Sequence, residues 1–332
     1  MLPLLALCYA WSLAAVPNAG DDGTAPAGDR PDRKAPGIAA LAPAPDGSGW
    51  LQGSQTGVLF RPFRDAPKRP IPTGLDHVHA LTFSPDGSAL AVAGGSPGES
   101  GAVELLSWPG GDLLGRLDGQ EDVVYDVTWL DGGKMLATAG ADQVVRVWDA
   151  RTRREVAALE GHSGPVLALA VSPEGRWLCS GGADGTIRVW EPGPWRLART
   201  LTNHLGPVHA LAFRPSQPGG RPATLASAGA DGTVRVWQPA TGRMVRIVRH
   251  PTAVLCVAWE GDGSHLVTGA KDGRLRILDG DGVAVLADRH LSRDWITGLA
   301  LLPGGSPRLA GDSGGSVHTW EDEIPGRSTR AR

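Results

Sequence analysis

The fold of this chain is decided by one motif that occurs three times: GADQVVRVWD at 140–149, GADGTIRVWE at 182–191 and GADGTVRVWQ at 229–238. Weaker copies occur at 269–279 (GAKDGRLRILD) and 311–321 (GDSGGSVHTWE). The last large residue of each copy recurs at spacings of 42, 47, 41 and 42, in the series Trp148, Trp190, Trp237, Leu278 and Trp320. A period near 42 predicts an array of similar structural units.

A second pattern, in which a turn separates two apolar positions, repeats with the same period. Its copies are PAPDGSGWL (43–51), FSPDGSAL (83–90), WLDGGKML (129–136), VSPEGRWL (171–178), WEGDGSHL (259–266) and LLPGGSPRL (301–309). Together the two patterns define seven units, with approximate limits 37–73, 74–118, 119–160, 161–202, 203–248, 249–288 and 289–322.

Each unit has the pattern of short β-strands. In GPVLALAVSPEGRWLCSGGADGTIRVWEP (164–192), small or apolar positions alternate with polar ones, and the turn sequences PEG and ADG interrupt the alternation. Four strands in about 42 residues are typical of a propeller blade, and a closed ring protects the faces of every blade. We therefore predict an all-β fold, a seven-bladed β-propeller of four-stranded antiparallel blades. The regular spacing argues against an open β-solenoid or a pair of sandwiches.

These motifs resemble those of the WD-repeat β-propeller family over residues 37–322. The resemblance implies a set of hydrogen-bonded residues in each blade: a His before the inner strand, a Ser or Thr on the second strand, an Asp in the next turn and a Trp on the third strand. Such groups need one another because buried polar atoms require partners. Carried over by position, the implied residues are His162, Ser180, Asp184 and Trp190 in unit four; His204, Ser227, Asp231 and Trp237 in unit five; His250, Thr268 and Asp272 in unit six; and Thr138, Asp142 and Trp148 in unit three. Leu278 replaces the Trp in unit six, Gln120 replaces the His in unit three, and units one, two and seven lack most of the set.

The stretch GDSGG at 311–315 resembles the segment around the nucleophile of trypsin-like serine proteases. A serine nucleophile needs a base to take its proton, and in that family the base is a His followed by Cys. None of the nine His here is followed by Cys. By position the stretch matches the turn GGADG of unit four, so we interpret it as a Gly-rich hairpin tip that carries Ser313. We predict no catalytic residue and no enzymatic activity.

Composition restricts the remaining classes of function. A net charge of −3 and a pI near 6.3 argue against sequence-independent binding of nucleic acid, so no nucleic-acid partner is expected. Cys179 and Cys256 fall on strands two units apart, beyond disulfide reach, and are expected as buried free thiols. The excess of Arg over Lys, with abundant Ala, Gly and Pro, favours a GC-rich bacterial genome.

The two ends of the chain carry separate predictions. We interpret 1–19 as a signal peptide or another apolar N-terminal segment, 20–36 as a linker rich in Pro, Gly and Asp, and 323–332 as a C-terminal tail or closing strand. No Lys or Arg precedes the apolar block MLPLLALCYAWSLAAV, and no clean Ala-x-Ala cleavage site follows it. An uncleaved membrane anchor, an outer strand and a misassigned start therefore stay open. A signal peptide predicts export to the periplasm or cell envelope of a bacterium; without one the protein is expected in the cytoplasm.

The family resemblance also implies a binding face. In WD-repeat proteins the top face around the channel is lined by the residues that flank the first apolar residue of each inner strand and by the residue before the turn Asp. The residues that we assign to partner binding on this basis are His77, His79, Tyr125, Leu167, His209, Leu255, Lys271 and Trp295. Aromatic anchors within a polar rim suit a protein or peptide contact. The alternative for Tyr125 and Trp295 is that they only plug the channel mouth.

Two classes of function follow from this face. We predict a monomeric, non-catalytic scaffold that binds a protein or peptide partner on its top face, without a cofactor. The alternative is a periplasmic propeller that binds a small ligand, or acts as an enzyme, at the channel mouth. His77 and His79 have a spacing that a metal ion could use, but no Asp, Glu or Cys is placed to join them, so no metal site is predicted.

Overall fold

Short turns join successive strands into antiparallel sheets, so each sheet is made from one continuous stretch of chain. The computed structural model describes residues 36–216, 222–282, 284–301 and 308–320. In this part of the chain six sheets have four strands and one has three, and neighbours in a sheet are also neighbours in sequence. The result is a seven-bladed β-propeller, which confirms the all-β fold predicted from the repeats.

The strands occupy equivalent positions in successive blades. The first strands are β1 (Ile38–Pro43), β5 (Val78–Phe83), β9 (Val124–Leu130), β13 (Val166–Val171), β17 (Val208–Phe213), β21 (Val254–Trp259) and β25 (Ile296–Leu301). The second strands are β2 (Gly49–Ser54), β6 (Ala89–Ser96), β10 (Met135–Gly140), β14 (Leu178–Gly182), β18 (Leu225–Gly229), β22 (His265–Ala270) and β26 (Arg308–Asp312). The third strands are β3 (Gly57–Pro62), β7 (Ser100–Ser107), β11 (Val145–Asp149), β15 (Ile187–Glu191), β19 (Thr233–Gln238), β23 (Arg274–Asp279) and β27 (Val317–Trp320). The fourth strands are β4 (Arg69–Ile71), β8 (Leu113–Gln120), β12 (Glu155–Leu159), β16 (Arg196–Leu201), β20 (Arg243–Arg249) and β24 (Val285–His290).

The ring closes where the first blade meets the seventh. Strand β1 packs against β25 and β26, and the hydroxyl of Thr297 donates a hydrogen bond to the backbone carbonyl of Ile38. Gly311 has no Cβ at the point where the side chain of Ile38 lies against it. The segments assigned to a signal peptide, to most of the linker, and to a C-terminal tail or closing strand lie outside the described residues.

The core lies between blades, because each blade has two faces to cover. One cluster joins Cys179 and Val189 of the fourth blade to Val208, Leu225 and Trp237 of the fifth, all of them buried. Equivalent clusters occur at the other junctions. Burial of apolar surface between neighbours holds the ring together.

The turn between the second and third strands requires a left-handed backbone residue. In the fourth blade this residue is Gly185, with φ of 76°. In the third blade the same position is Gln143, with φ of 70°, where a side chain makes this conformation unfavourable. The described residues contain no helix with the length and apolarity that a bilayer crossing needs.

Candidate functional site

Two blades contain the complete hydrogen-bonded set implied by the sequence. In the fourth blade the indole N–H of Trp190 donates to Ser180 Oγ (2.9 Å), Ser180 Oγ lies 2.8 Å from His162 Nε2, and His162 Nδ1 lies 3.0 Å from Asp184 Oδ2. A carboxylate only accepts, so Nδ1 carries the proton in the neutral imidazole and Nε2 accepts from the Ser hydroxyl. The chain of donors thus runs from the core outward to the loop above it.

The fifth blade repeats this geometry. Trp237 donates to Ser227 Oγ at 2.9 Å, His204 Nε2 lies 2.8 Å from the same oxygen, and His204 Nδ1 lies 3.1 Å from Asp231. Burial opposes ionisation of Asp231, but hydrogen bonds from Thr233 and the Leu205 backbone, and then the charge of His204, outweigh it and lower its pKa to about 2. The carboxylate is therefore ionised in neutral solution and anchors the loop that carries His204.

In the third blade Gln120 takes over the part of the missing His. Its amide nitrogen donates to Thr138 Oγ1, and Trp148 donates to the same oxygen at 2.9 Å. Arg146 bridges the other side, because it donates to Gln120 Oε1 and pairs with Asp142. A primary amide has both a donor and an acceptor, as a neutral imidazole does, so the network survives the substitution.

In the sixth blade no hydrogen bond joins the implied residues directly, and the Arg276 guanidinium contacts both His250 Nδ1 (3.4 Å) and Asp272. The Thr268 hydroxyl donates to the backbone carbonyl of Arg276 (3.4 Å), and Asp272 pairs with the Arg276 guanidinium (2.7 Å). His250 Nε2 is buried without a hydrogen-bond partner among the described residues. Leu278 supplies no indole donor, so nothing holds the hydroxyl toward the His. Burial, and then the charge of Arg276, lower the pKa of His250 to about 4.

The GDSGG stretch of the seventh blade is a hairpin tip without a protease arrangement. Asp312 accepts from the Ser292 hydroxyl (2.7 Å) and lies 2.8 Å from His318 Nε2, while Ser313 Oγ accepts from the backbone N–H of Trp295 (3.1 Å). Within the described ranges no His ring is hydrogen-bonded to Ser313. The cluster of Ser292, Asp312 and His318 replaces the usual set, and comparison of the repeats missed it because the Asp stands two residues earlier than in the other blades.

A shared irregularity of the first strands builds the channel mouth. Each first strand has a register shift near its start, so one residue has no partner on the second strand. The seven residues skipped in this way are Ala39, His79, Tyr125, Leu167, His209, Leu255 and Thr297. A β-bulge redirects its side chain out of the regular pleat, and here all seven side chains turn toward the axis of the ring.

These seven residues, with Trp295, line one cavity of about 180 Å³ at the top of the channel. The rings of His79 and Tyr125 meet edge to face, with centroids 5.4 Å apart. Burial, and then the charge of His77, lower the pKa of His79 to about 4. Burial, and then the charges of Lys271 and His204, lower the pKa of His209 to about 4. Both imidazoles are therefore neutral at pH 7, and the wall is polar but uncharged.

The structure separates the eight residues that the sequence assigned to partner binding. Six of them line the cavity: His79, Tyr125, Leu167, His209, Leu255 and Trp295. Lys271 lies at the rim, where its Nζ is 4.4 Å from the centroid of the Trp295 ring. His77 precedes the bulge and lies outside the lining, and its carbonyl accepts from Gly95 N–H (3.0 Å).

The second blade adds a wall to this face that the sequence analysis did not assign. Its hairpin between β6 and β7 extends to the pair Ser96–Ser100. Asp76 accepts from the Ser96 hydroxyl (3.2 Å), and Asp122 accepts from Gly98 N–H (2.8 Å). The sequence signal was present, since GGSPGESG at 94–101 is longer than the short ADG-type turns of the other units.

Larger clefts lie on the opposite face. One of about 560 Å³ lies between the second and third blades beside Trp129, and one of about 440 Å³ lies between the fourth and fifth blades beside Trp177. Trp177 is buried and Trp129 donates its indole N–H to the Thr82 carbonyl (3.3 Å), so both indoles pack the blades. Among the described residues no cluster of three or more His, Cys, Asp or Glu has the geometry to hold a metal ion.

Comparison with known proteins places these features in a family. The architecture defines a seven-bladed propeller, and its third to sixth blades carry the His, Ser or Thr, Asp and Trp set in whole or in part. The family model "WD domain, G-beta repeat" matches residues 111–149, 153–191, 195–238 and 242–279. The chain belongs to the WD-repeat family of β-propellers. Each match runs from the fourth strand of one blade through the third strand of the next, so the sequence repeat is offset from the blade by one strand.

Individual relatives share only part of their length with this chain. WD repeat-containing protein VIP3 of Arabidopsis thaliana is 30% identical over 151 residues, which are 41% of this chain and 46% of that protein. Protein HIR1 of Mycosarcoma maydis is 33% identical over 103 residues, 31% of this chain and 10% of that protein. The intraflagellar transport protein 122 homolog of Danio rerio is 33% identical over 93 residues, 25% of this chain and 7% of that protein. The chain thus spans less than half the length of each of these relatives, all of which are eukaryotic.

Proposed function

We propose that this chain is a non-catalytic interaction scaffold that binds a protein or peptide partner on its top face, over the channel mouth. The observation that carries the proposal is the convergence of seven bulged residues on one cavity, rimmed by Trp295 and Lys271. A binding surface gains most of its affinity from a few aromatic or basic anchors in a desolvated pocket. Tyr125 and Trp295 are half-buried aromatic side chains of this kind.

The size of the cavity favours a partner that inserts one side chain. Its volume of about 180 Å³ is below the range of roughly 300–1,000 Å³ in which drug-sized ligands bind. The remaining contacts of a peptide or protein would then lie on the surrounding loops. Leu205, which is 89% exposed in the loop before β17, is available there.

The test is a pull-down with quantitative mass spectrometry that compares the wild type with a Tyr125→Ala/Trp295→Ala double variant. A matched control is Leu113→Ala/Leu114→Ala, which removes two exposed side chains from the fourth strand of the second blade. We expect a partner that the wild type and the control capture and the double variant loses, with all three melting at the same temperature. Equal capture by all three baits would move the partner site away from the top face.

A small ligand at the channel mouth is the second candidate. Two neutral imidazoles and a phenol face one open cavity, which suits hydrogen bonding to a compact molecule. This function predicts a thermal shift with a metabolite mixture in the absence of any captured protein. A thermal shift that survives in the double variant would exclude the channel mouth as the ligand site.

We also propose that the protein is exported from a bacterial cell, with the apolar block at 1–16 as the export signal. The support is the length and apolarity of that block and the polar, Pro-rich sequence that follows it. The test is the mass of the protein recovered from its own host. Loss of about 15–19 N-terminal residues from a periplasmic fraction supports export, whereas a full-length cytoplasmic protein contradicts it.

A further inference from the structure

We propose that the side chain which enters the channel mouth is acidic, so that the site recognises an Asp or Glu of the partner. This inference rests on the proposed function and names the chemistry of its central contact. It is argued from the charges at the rim, the polar atoms in the wall and the exposure of the surrounding loops.

The rim carries a positive charge. Lys271 Nζ is 4.4 Å from the centroid of the Trp295 ring, which lines the cavity, and its charge contributes to the lowered pKa of His209. A cation over an indole face is held in place by the ring quadrupole. An incoming carboxylate meets this ammonium, whereas an incoming Lys or Arg is repelled by it.

No carboxylate is among the lining residues. The acidic side chains near these residues in sequence lie outside the lining, and Asp76 accepts from the Ser96 hydroxyl (3.2 Å). Asp272 pairs with Arg276 (2.7 Å), Asp126 accepts from the Leu169 backbone (2.7 Å), and the carboxylate of Asp294 lies against Gly314 in its own blade. The lining is therefore uncharged at neutral pH.

The wall also contains a polar atom that needs a partner. His79 Nε2 is buried and has no hydrogen-bond partner among the described residues, and the same holds for Nδ1 of the adjacent His77. A buried polar atom without a partner destabilises the free protein. A carboxylate accepts from an imidazole N–H, while an apolar side chain in the same place leaves that atom unpaired.

The surrounding loops favour a passing chain over a chain end. Leu205 of the fifth blade is 89% exposed and Arg293 of the seventh is exposed, and these blades lie on either side of Lys271 in the sixth. A segment that crosses the face can contact both loops while one side chain descends into the cavity. The acidic residue is therefore assigned to a side chain inside the partner sequence.

The test uses three probes of one size and different charge: benzoate, benzamide and benzylamine, titrated by calorimetry against the full chain. We expect benzoate to bind with a dissociation constant on the order of 1 mM, and benzamide and benzylamine at least about tenfold more weakly. Lys271→Met is expected to weaken benzoate about tenfold and to leave benzamide unchanged. The charge control is Lys134→Met, because Lys134 lies in the turn between β9 and β10 on the opposite face and its side chain is 77% exposed.

Three results would overturn the assignment: benzylamine binding as tightly as benzoate, equal losses of benzoate affinity in Lys271→Met and Lys134→Met, or no binding of benzoate in the millimolar range.

The outcome of this test is separable from that of the proposed function. Capture of a partner through Tyr125 and Trp295 without a preference for benzoate leaves the scaffold standing and refutes the acidic contact. The converse result is that benzoate binds selectively while the Tyr125→Ala/Trp295→Ala variant still captures the partner. This result supports the anion site and refutes the docking face. Once a partner is identified, a Glu→Gln or Asp→Asn substitution in its bound segment is expected to weaken its binding as Lys271→Met weakens benzoate. Binding that depends instead on the partner's C-terminal carboxylate contradicts the side-chain assignment.

Discussion

Asp126 connects two blades through a half-buried carboxyl group. Its Oδ1 accepts from the backbone N–H of Val127 (2.8 Å), and its Oδ2 accepts from that of Leu169 in the next blade (2.7 Å). The equivalent residues in the other six blades are Ala40, Ala80, Ala168, Ala210, Cys256 and Gly298. The substitution Asp126→Ala therefore introduces the residue that four of the other blades have at this position.

The magnitude follows from the pKa. Burial raises the pKa of Asp126 from 3.8 to about 7, against the effect of the two backbone donors. Because the folded pKa lies above the unfolded one, the group contributes its full stability below pH 3.8 and loses it as the pH rises through 7. One pKa unit corresponds to about 1.4 kcal/mol, so this group lowers the free energy of unfolding by about 3 kcal/mol between pH 5 and pH 8.

Urea unfolding followed by tryptophan fluorescence measures this effect when the wild type and Asp126→Ala are compared at both pH values. We expect the wild type to lose about 3 kcal/mol more than the variant on going from pH 5 to pH 8, since the other titrating groups are common to both. The matched control is Asp86→Ala. Hydrogen bonds from Ser84 and Ser88 lower the pKa of the exposed Asp86, so it stays ionised throughout this range and its removal leaves the pH dependence unchanged.

Equal pH dependence in the wild type and Asp126→Ala would refute the reasoning. If the wild type instead gains stability relative to the variant as the pH rises, the folded pKa of Asp126 lies below the unfolded one. The amide donors of Val127 and Leu169 would then outweigh burial. Either result would remove Asp126 as a source of pH sensitivity in the junction between the third and fourth blades.

Three further predictions concern stability and reactivity. Ser180→Ala removes the shared hydrogen-bond partner of Trp190 and His162, so it is expected to lower the free energy of unfolding by about 2–4 kcal/mol. Thr268→Val in the sixth blade, where that network is not formed, is expected to lower it by about 1 kcal/mol. Equal losses of stability in urea unfolding would contradict this difference. Gln143→Gly relieves a left-handed backbone at an exposed turn and is expected to raise the free energy of unfolding by about 1 kcal/mol, measured in the same way; a loss of stability would show that the Gln side chain contributes more than its backbone costs. Burial raises the pKa of Cys256 to about 12 and also raises that of Cys179, so in a Cys8→Ser background neither thiol is expected to react with Ellman's reagent until urea unfolds the chain; fast reaction of the native protein would show that one strand opens.

Part of the candidate site could be predicted from the sequence. Position within the repeat correctly brought His79, Tyr125, Leu167, His209 and Leu255 to one cavity, because equivalent residues of a ring share one radius and height. It did not separate His77 from His79. Regular strand alternation predicts that both point the same way, whereas the bulge at His79 breaks that alternation in the folded sheet.

The hydrogen-bonded sets show a similar limit. The presence of His250, Thr268 and Asp272 in the sixth blade implied a network, yet Leu278 supplies no indole donor and His250 Nε2 has no hydrogen-bond partner among the described residues. In the third blade the reverse occurs, since Gln120 restores a network that its residue type did not suggest. Whether such a set forms depends on all its members at once, because each donor needs an acceptor in place.

The sequence by itself determined the all-β class, the number of blades and the positions of the turns. Those features depend on local alternation, turn chemistry and a period near 42, which are visible along the chain. Only the tertiary structure decided that seven bulged residues meet in one cavity, that Lys271 lies over Trp295 at its rim, and that Asp126 accepts a hydrogen bond from the next blade. These relationships join residues from different blades, and their distances exist only once the ring has closed.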